Sequence, residues 1–150
     1  MLRRTALALI VMAAVTACSS APAATPAPSG PAASVAPALV VEQFLRAANA
    51  NDLDTMARLF GTIDGPIVER DTQKQVDDRM FALASILRHQ DYSLEGEQIV
   101  PGRRDVATQL LVRMVLPDGR SAVVPFTLVY SANRTWLIEQ IAVERITNLR

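Results

Sequence analysis

Apolar residues recur at spacings of three and four in three segments of the chain, which is the period of a helix with one buried face. The segments are residues 39–50, 53–60 and 72–89. In the longest of them the apolar stripe consists of Val76, Met80, Leu83, Ala84 and Leu87. The pattern predicts three helices, the second capped at its N-terminus by Asn51 or Asp52 and the third by Asp71.

The period changes to two after the third helix, which indicates β-strands. Four runs, joined by short turns, cover residues 92–100, 106–116, 121–130 and 135–146. Short turns join neighbouring strands, so the runs predict an antiparallel meander. The residues expected to face the helices are Val106, Leu110, Val112, Met114 and Leu116, then Ala122, Val124, Phe126, Leu128 and Tyr130. Gly96 and Pro125 interrupt regular pairing, so we expect bulges or bends there and a curved sheet.

The first seventeen residues have the pattern of an export signal. A basic start at residues 1–4 precedes an apolar run at residues 5–14, too short for a bilayer span of about 20 residues. The run ends in Val15, Thr16, Ala17 and Cys18. This segment resembles the bacterial lipobox, which implies cleavage before Cys18, lipidation of that cysteine and a durable membrane anchor. The alternative is an ordinary secretory signal followed by an accidental cysteine.

Small residues and prolines dominate the segment that follows. Residues 19–37 hold five of the nine prolines and little apolar bulk, which predicts an extended linker. The predicted organisation is a signal peptide at 1–17, a lipidated cysteine and linker at 18–37, and one domain at 38–150. Ser19 replaces the aspartate that retains related lipoproteins in the inner membrane. The resemblance therefore implies the outer membrane, where the organism has one.

Charge gives no sign of a nucleic-acid partner. The chain has 15 basic and 15 acidic residues, and the basic residues are dispersed along the predicted domain. A phosphate-binding surface would gather them on one face. Nothing in the sequence implies a cofactor, and His89 is the only histidine, which excludes a histidine-rich metal site.

The order of elements resembles the nuclear transport factor 2-like superfamily, which includes SnoaL-like and ketosteroid isomerase-like domains. Residues 41–52 resemble the opening pattern of that superfamily, and residues 135–138, Thr-Trp-Leu-Ile, resemble its final strand. The likeness covers residues 38–147 and implies an α+β fold, with three helices packed on a curved four-stranded antiparallel meander in a cone. Enzymes, ligand binders and scaffolds all use this fold.

Catalytic members of the superfamily carry an acid or base on the inner wall of the cone, often beside a tyrosine. The polar residues predicted to face inward are Thr108 and Tyr130, with Tyr92 and Gln98 as further candidates. Glu95 and Glu97 fall on the opposite face, although an extra residue near Gly96 would turn one of them inward. We therefore predict no catalytic residue.

Two further sets of residues are candidates for a pocket. The aromatic candidates are Phe60, Tyr92, Phe126, Tyr130 and Trp136, for which core packing is the alternative. The polar candidates are Asp64, His89 and Asp91. For His89 the alternative is a structural role at a helix C-terminus.

The leading functional hypothesis is a membrane-tethered, non-enzymatic binding or interaction module of the cell envelope, for a small apolar ligand or a protein partner. The alternative is a small isomerase or dehydratase acting in the cone. The outer sheet face carries Val115, Val123 and Val129, which favours a homodimer through that face.

Overall fold

The computed structural model describes residues 31–149, and side chains from residue 36 onward. The elements in chain order are helices α1 (Pro31–Ala50) and α2 (Leu53–Leu59), strands β1 (Gly61–Thr62) and β2 (Gly65–Pro66), a 3₁₀ turn (Ile67–Glu69), helix α3 (Gln73–Ile86), strands β3 (Asp91–Ile99), β4 (Ala107–Val115), β5 (Ser121–Tyr130) and β6 (Trp136–Ile141), and helix α4 (Glu144–Thr147). The predicted signal peptide, Cys18 and most of the predicted linker lie outside the described residues. No described helix is both long and apolar enough to cross a membrane.

Helix α1 begins earlier than the apolar stripe predicts. It starts at Pro31 rather than Leu39, so it includes seven residues that the composition assigned to an extended linker. Proline suits the first helical turn, where its missing N–H would have no partner anyway. Pro37 lies inside the helix and leaves the carbonyl of Ala33 without its usual backbone partner. The prolines at positions 31 and 37 therefore do not keep this part of the chain extended, as composition alone predicted.

Local hydrogen bonds define the starts of α2 and α3. Asp52 caps α2, and its Oδ1 accepts the N–H of Thr55 at 3.0 Å, as the sequence predicted. The predicted cap of α3 is wrong, because Thr72 caps this helix in a box with Gln75. Gln75 Oε1 accepts the Thr72 backbone N–H at 3.2 Å and the Thr72 hydroxyl at 2.9 Å. Asp71 instead pairs with Arg79 at 3.1 Å.

The hairpin β1–β2 packs tightly against strand β6. At Gly61 an added Cβ would lie 2.3 Å from the Gly65 carbonyl oxygen and 2.9 Å from Leu137 Cδ1. Only glycine allows this close approach of backbone to backbone. The hairpin therefore covers part of β6 from the side.

The main sheet is antiparallel in the order β3-β4-β5-β6, which confirms the predicted meander. Its pairing is irregular between Leu94 and Gly96, as predicted. Pro125 pairs regularly with Leu111, and the second irregularity lies at Thr127 and Leu128 instead. The Pro125 carbonyl accepts the Ala142 N–H at 3.0 Å. The carbonyl and the nitrogen of a strand residue point to the same neighbouring strand. The Pro125 nitrogen, which has no hydrogen to donate, therefore also faces the end of β6, where the pairing of β5 with β6 stops.

The last strand is shorter than predicted. It ends at Ile141, and the residues after it form α4 instead of continuing to Ile146. Val143, just before this short helix, and Ile146 within it pack against the core. An apolar pattern of a few residues fits either a strand or a helical turn, which is why the alternation misled here.

The space between helices and inner sheet face is filled by one apolar cluster. Its largest fully buried members are Phe44, Phe126, Leu45, Met56, Ile67, Met80, Leu87, Met114, Leu128 and Ile138. Most of the predicted inward residues of β4 and β5 belong to this cluster, and Tyr130 packs against it. The exceptions are Leu116, which is buried outside the cluster, and Val106, which is half-buried and precedes β4. The domain is thus an α+β fold with its core on the inner face of a curved sheet.

The outer face is also covered on the β5–β6 side. Val129 is fully buried, although the sequence placed it on an exposed surface. It lies in a row with Ala107 and Leu137, which are buried as well. Beside this row Arg103, in the turn after β3, binds Glu139 of β6 through two hydrogen bonds of 2.5 and 3.0 Å. The expected homodimer face is therefore reduced, and the homodimer stays a prediction.

Candidate functional site

The inner face of β3 is the part of the sheet that the helices leave open. Within the described residues, β3 packs against β4 and makes no substantial contact with any helix. Leu94 and Ile99 are 36% and 67% exposed, although both lie on the face that is buried elsewhere in the sheet. We call the inner-face residues Tyr92, Leu94, Glu97 and Ile99 the open strip.

The irregularity at Glu95 sets which residues belong to the open strip. Tyr92 and Leu94 lie opposite Met114 and Val112, so they share the inner face with these core residues. Beyond the extra residue, Glu97 lies opposite Leu110, on the inner face, and Gln98 lies opposite Gln109, on the outer face. Simple alternation placed both residues on the wrong face, because one extra residue reverses every side chain beyond it.

Glu97 is the carboxylate of the open strip. The Thr108 hydroxyl donates to Glu97 Oε1 at 2.6 Å, and Thr108 itself is buried. Among residues 36–149 no cation forms an ion pair with Glu97. Glu95, by contrast, bonds to Arg113 on the outer face. The strip thus carries one uncompensated negative charge.

His89 lies at the other end of the strip, between α3 and β3. Its side chain is 8% exposed, and its ring packs edge-on against Tyr92 with centroids 5.4 Å apart. Asn49 fixes the backbone of His89. Its Nδ2 donates to the His89 carbonyl at 3.0 Å, and its Oδ1 accepts the His89 N–H at 3.2 Å.

The ring hydrogen bond of His89 defines its tautomer. Nδ1 lies 2.8 Å from the Leu87 carbonyl oxygen. A carbonyl only accepts, so Nδ1 carries a proton in this contact. This hydrogen bond holds the ring at the end of α3, and the role of His89 stays a prediction.

Trp136 and Tyr130 form an aromatic pair at the far end of β5 and β6. Their ring centroids are 5.4 Å apart, and the planes meet at 58°. Trp136 is 8% exposed, and its Nε1 is buried with no hydrogen-bond partner in the described part of the chain. Leaving such a donor unpaired costs about 1–3 kcal/mol.

The remaining predicted pocket residues are not brought together. Phe126 is fully buried in the core, and Phe60 packs on Phe44 with centroids 6.2 Å apart. Asp64 is exposed and pairs with Arg70 at 3.5 Å. Asp91 is exposed, and its Oδ1 accepts the Tyr92 N–H at 2.9 Å. Both acids therefore lie outside the cone interior.

A separate shallow groove of about 280 Å³ lies between α1 and α2. It is lined by Gln43, Arg46, Ala47, Ala50, Asp52 and Thr55. Hydrogen bonds from the side chain and backbone of Thr55 hold the pKa of Asp52 below its ordinary value. This carboxylate is therefore already used as the cap of α2. No group of three metal-ligating side chains occurs among the residues described.

The arrangement is suited to binding. The open strip offers apolar side chains and one carboxylate to a partner, whereas the buried polar groups His89 and Thr108 are hydrogen-bonded within the domain. The sequence did not identify Leu94, Glu97 and Ile99 as site residues. Gly96 was the available signal, because it predicted the bulge that turns Glu97 inward.

Comparison with solved structures agrees with this architecture. A putative NTF2-like transpeptidase from Campylobacter jejuni aligns with a TM-score of 0.51 at 12% identity, over 69% of this chain and 97% of that chain. A putative calcium/calmodulin dependent protein kinase II association domain from Xanthomonas campestris aligns at 0.44 and 12%, covering 79% and 93%. The protein Aln2 from a Streptomyces species aligns at 0.41 and 14%, covering 75% and 93%.

No protein-family model matches the chain, and no curated protein matches it. The first of these alignments shows the fold, which is the NTF2-like cone.

Proposed function

We propose that this NTF2-like domain is the binding module of a lipoprotein of the bacterial cell envelope, tethered through a lipid on Cys18 and acting without catalysis. The outer membrane is the proposed location where the organism has one. The open strip is the proposed binding surface, for a small apolar ligand or a partner protein.

One observation carries the proposal. Leu94 and Ile99 are exposed on the face of the sheet that is otherwise the core. Contact of large apolar side chains with water is unfavourable, and a bound apolar group removes that cost. The backbone under the open strip is also bent, because a bulge between Leu94 and Gly96 bends β3.

The surroundings of Glu97 and His89 support binding over catalysis. A proton-transfer group must reach a substrate in a cavity. Glu97 is hydrogen-bonded to Thr108 on an exposed strand, and neither Glu97 nor His89 lines the groove between α1 and α2.

One contact favours the enzymatic alternative, an isomerase or dehydratase. His89 is buried against Tyr92 at the end of the open strip, a pairing of base and tyrosine that the superfamily uses for proton transfer. The two functions differ in a measurable way. A binding module releases its co-purified molecule chemically unchanged, and a folded His89→Gln variant keeps it. Conversion of that molecule by the wild type and not by His89→Gln would support the enzyme instead.

The tether is tested by labelling cells with an alkyne-tagged fatty acid. We expect the full-length chain to take up the label and to enter the detergent phase. A chain with a cleavable secretory signal in place of residues 1–17 and Cys18→Ala should remain folded, unlabelled and aqueous. An unlabelled wild-type chain would refute the lipid anchor.

The binding surface is tested by mass spectrometry of molecules that co-purify from native membranes. We expect Leu94→Ser with Ile99→Ser to lose the molecule that the wild type retains. The matched control is Ser93→Ala with Gln98→Ala, on the outer face of the same strand. Retention by the first variant at full stability would refute the open strip as the binding surface.

A further inference from the structure

Strand β3 is an edge of the main sheet. It pairs with β4 on one side, and no strand in the described part of the chain pairs with its other side. Every second backbone N–H and C=O of such a strand points away from its neighbour, toward solvent. All residues of β3 except Tyr92 are exposed, so neither face of the strand hinders the approach of another chain.

The free edge of β3 has two features that proteins use against unwanted strand pairing. One is the bulge between Leu94 and Gly96, and the other is the charge of Glu97 on the inner face. An apolar side chain placed beside Glu97 would remove water from the carboxylate and give nothing in return, which is unfavourable. The edge therefore favours a segment that supplies a positive charge for Glu97.

The charges along β3 define this segment further. Of the three acids in the strand, Asp91, Glu95 and Glu97, only Glu95 has an ion-pair partner within residues 36–149. The strand itself holds no basic residue, and the arginines nearest in sequence, at positions 88, 103 and 104, lie beyond its two ends. A basic residue in the middle of a partner segment would face Glu97, and apolar residues on either side of it would cover Leu94 and Ile99.

We propose that β3 binds an extended segment of a partner protein as an added strand of the main sheet, with a basic side chain of that segment beside Glu97 and apolar side chains over Leu94 and Ile99. Main-chain hydrogen bonds give such a complex its affinity, and the side chains give it selectivity. This assignment rests on the proposed binding function and names the class of partner.

The test uses fluorescently labelled peptides of nine residues, the length of β3, and the full-length protein. The first peptide is Val-Thr-Val-Thr-Arg-Thr-Val-Thr-Val, and a second has glutamate in place of the arginine. Two further copies of the arginine peptide are N-methylated on the odd-numbered or on the even-numbered residues. Alternate amides of a strand face opposite edges, so we expect one methylated copy to bind and the other to fail. Amide hydrogen exchange in β3 should slow when the arginine peptide binds.

Variants of the protein test the role of the charge. Glu97→Gln should weaken binding of the arginine peptide by about two- to fivefold, the effect of one exposed ion pair. Glu97→Arg should reverse the preference, so that the glutamate peptide binds more tightly than the arginine peptide. The control is Glu144→Gln, which removes the same charge from an exposed position on α4 and should leave peptide binding unchanged.

The outcomes separate this proposal from the broader one. Equal binding of the two methylated copies would refute strand addition, and equal binding of the arginine and glutamate peptides to the wild type would refute the role of Glu97. Failure of every peptide to bind would refute the proposal as a whole. In each case the binding module stands on its own co-purification test. If Glu97→Arg fails to fold, the comparison of the peptides on the wild type decides the question.

Discussion

The two sides of the main sheet differ in how the rest of the chain covers them. On the β5–β6 side both faces are buried, with Ile138 inside and Val129 outside. On the β3 side both faces are exposed, and apolar residues still occupy the inner one. The covered side has the burial that gives stability, whereas the apolar residues of β3 contribute little to it. The difference is the basis of our proposal that stability and binding are carried by separate strands.

The largest expected effect contrasts two inner-face residues. Phe126→Ala should lower the free energy of unfolding by about 3–5 kcal/mol, because the fully buried ring leaves a cavity. Leu94→Ala on the open strip should cost less than about 1 kcal/mol. Chemical denaturation of both variants checks this. Equal losses would mean that β3 is part of the core.

The sequence predicted the covered side better than the open one. The alternation on β4 and β5 identified Leu110, Met114 and Phe126 as inward, because their partners are neighbouring strands of the meander. It missed the burial of Val129, which lies between Ala107 and Leu137 on the covered side of the sheet. It anticipated the bulge at Gly96, but only the pairing with β4 shows that Glu97 faces inward.

Two glycines give the next contrast. Gly61→Ala should destabilise the domain by about 1–3 kcal/mol, since the new Cβ would overlap the Gly65 carbonyl oxygen. An added Cβ at Gly96 meets nothing within 4 Å, so Gly96→Ala should change stability by less than about 0.5 kcal/mol. Thermal unfolding of the two variants measures the difference. A severe loss from Gly96→Ala alone would reverse the comparison.

The outer face offers a smaller, matched pair. Val129→Ala should cost about 1.5 kcal/mol for the buried carbon atoms it removes. Val123 is half-buried on the same strand and face, and Val123→Ala should cost below about 1 kcal/mol. Denaturation at several protein concentrations also tests the predicted homodimer. A concentration-dependent loss at Val123 would indicate that a second copy covers it.

The smallest expected effect is the pH dependence of the α2 cap. The folded-state pKa of Asp52 is lowered by the side chain and backbone of Thr55. Its contribution is therefore present above the ordinary value of 3.8 and is lost as the pH falls below it, through the folded pKa. Asp52→Asn keeps a capping side chain and removes the titration. The stability difference between wild type and variant should change below pH 3.8, and a constant difference would contradict this sign.

The central claim is that the inner face of β3 is the binding surface of the tethered protein. Photo-crosslinking in intact cells tests it most directly, with p-benzoylphenylalanine placed at Ile99 on the inner face or at Gln98 on the outer face of the same exposed strand. We predict a defined adduct from position 99 and none from position 98. Adducts from position 98 alone, or the same adduct from both positions, would contradict the claim.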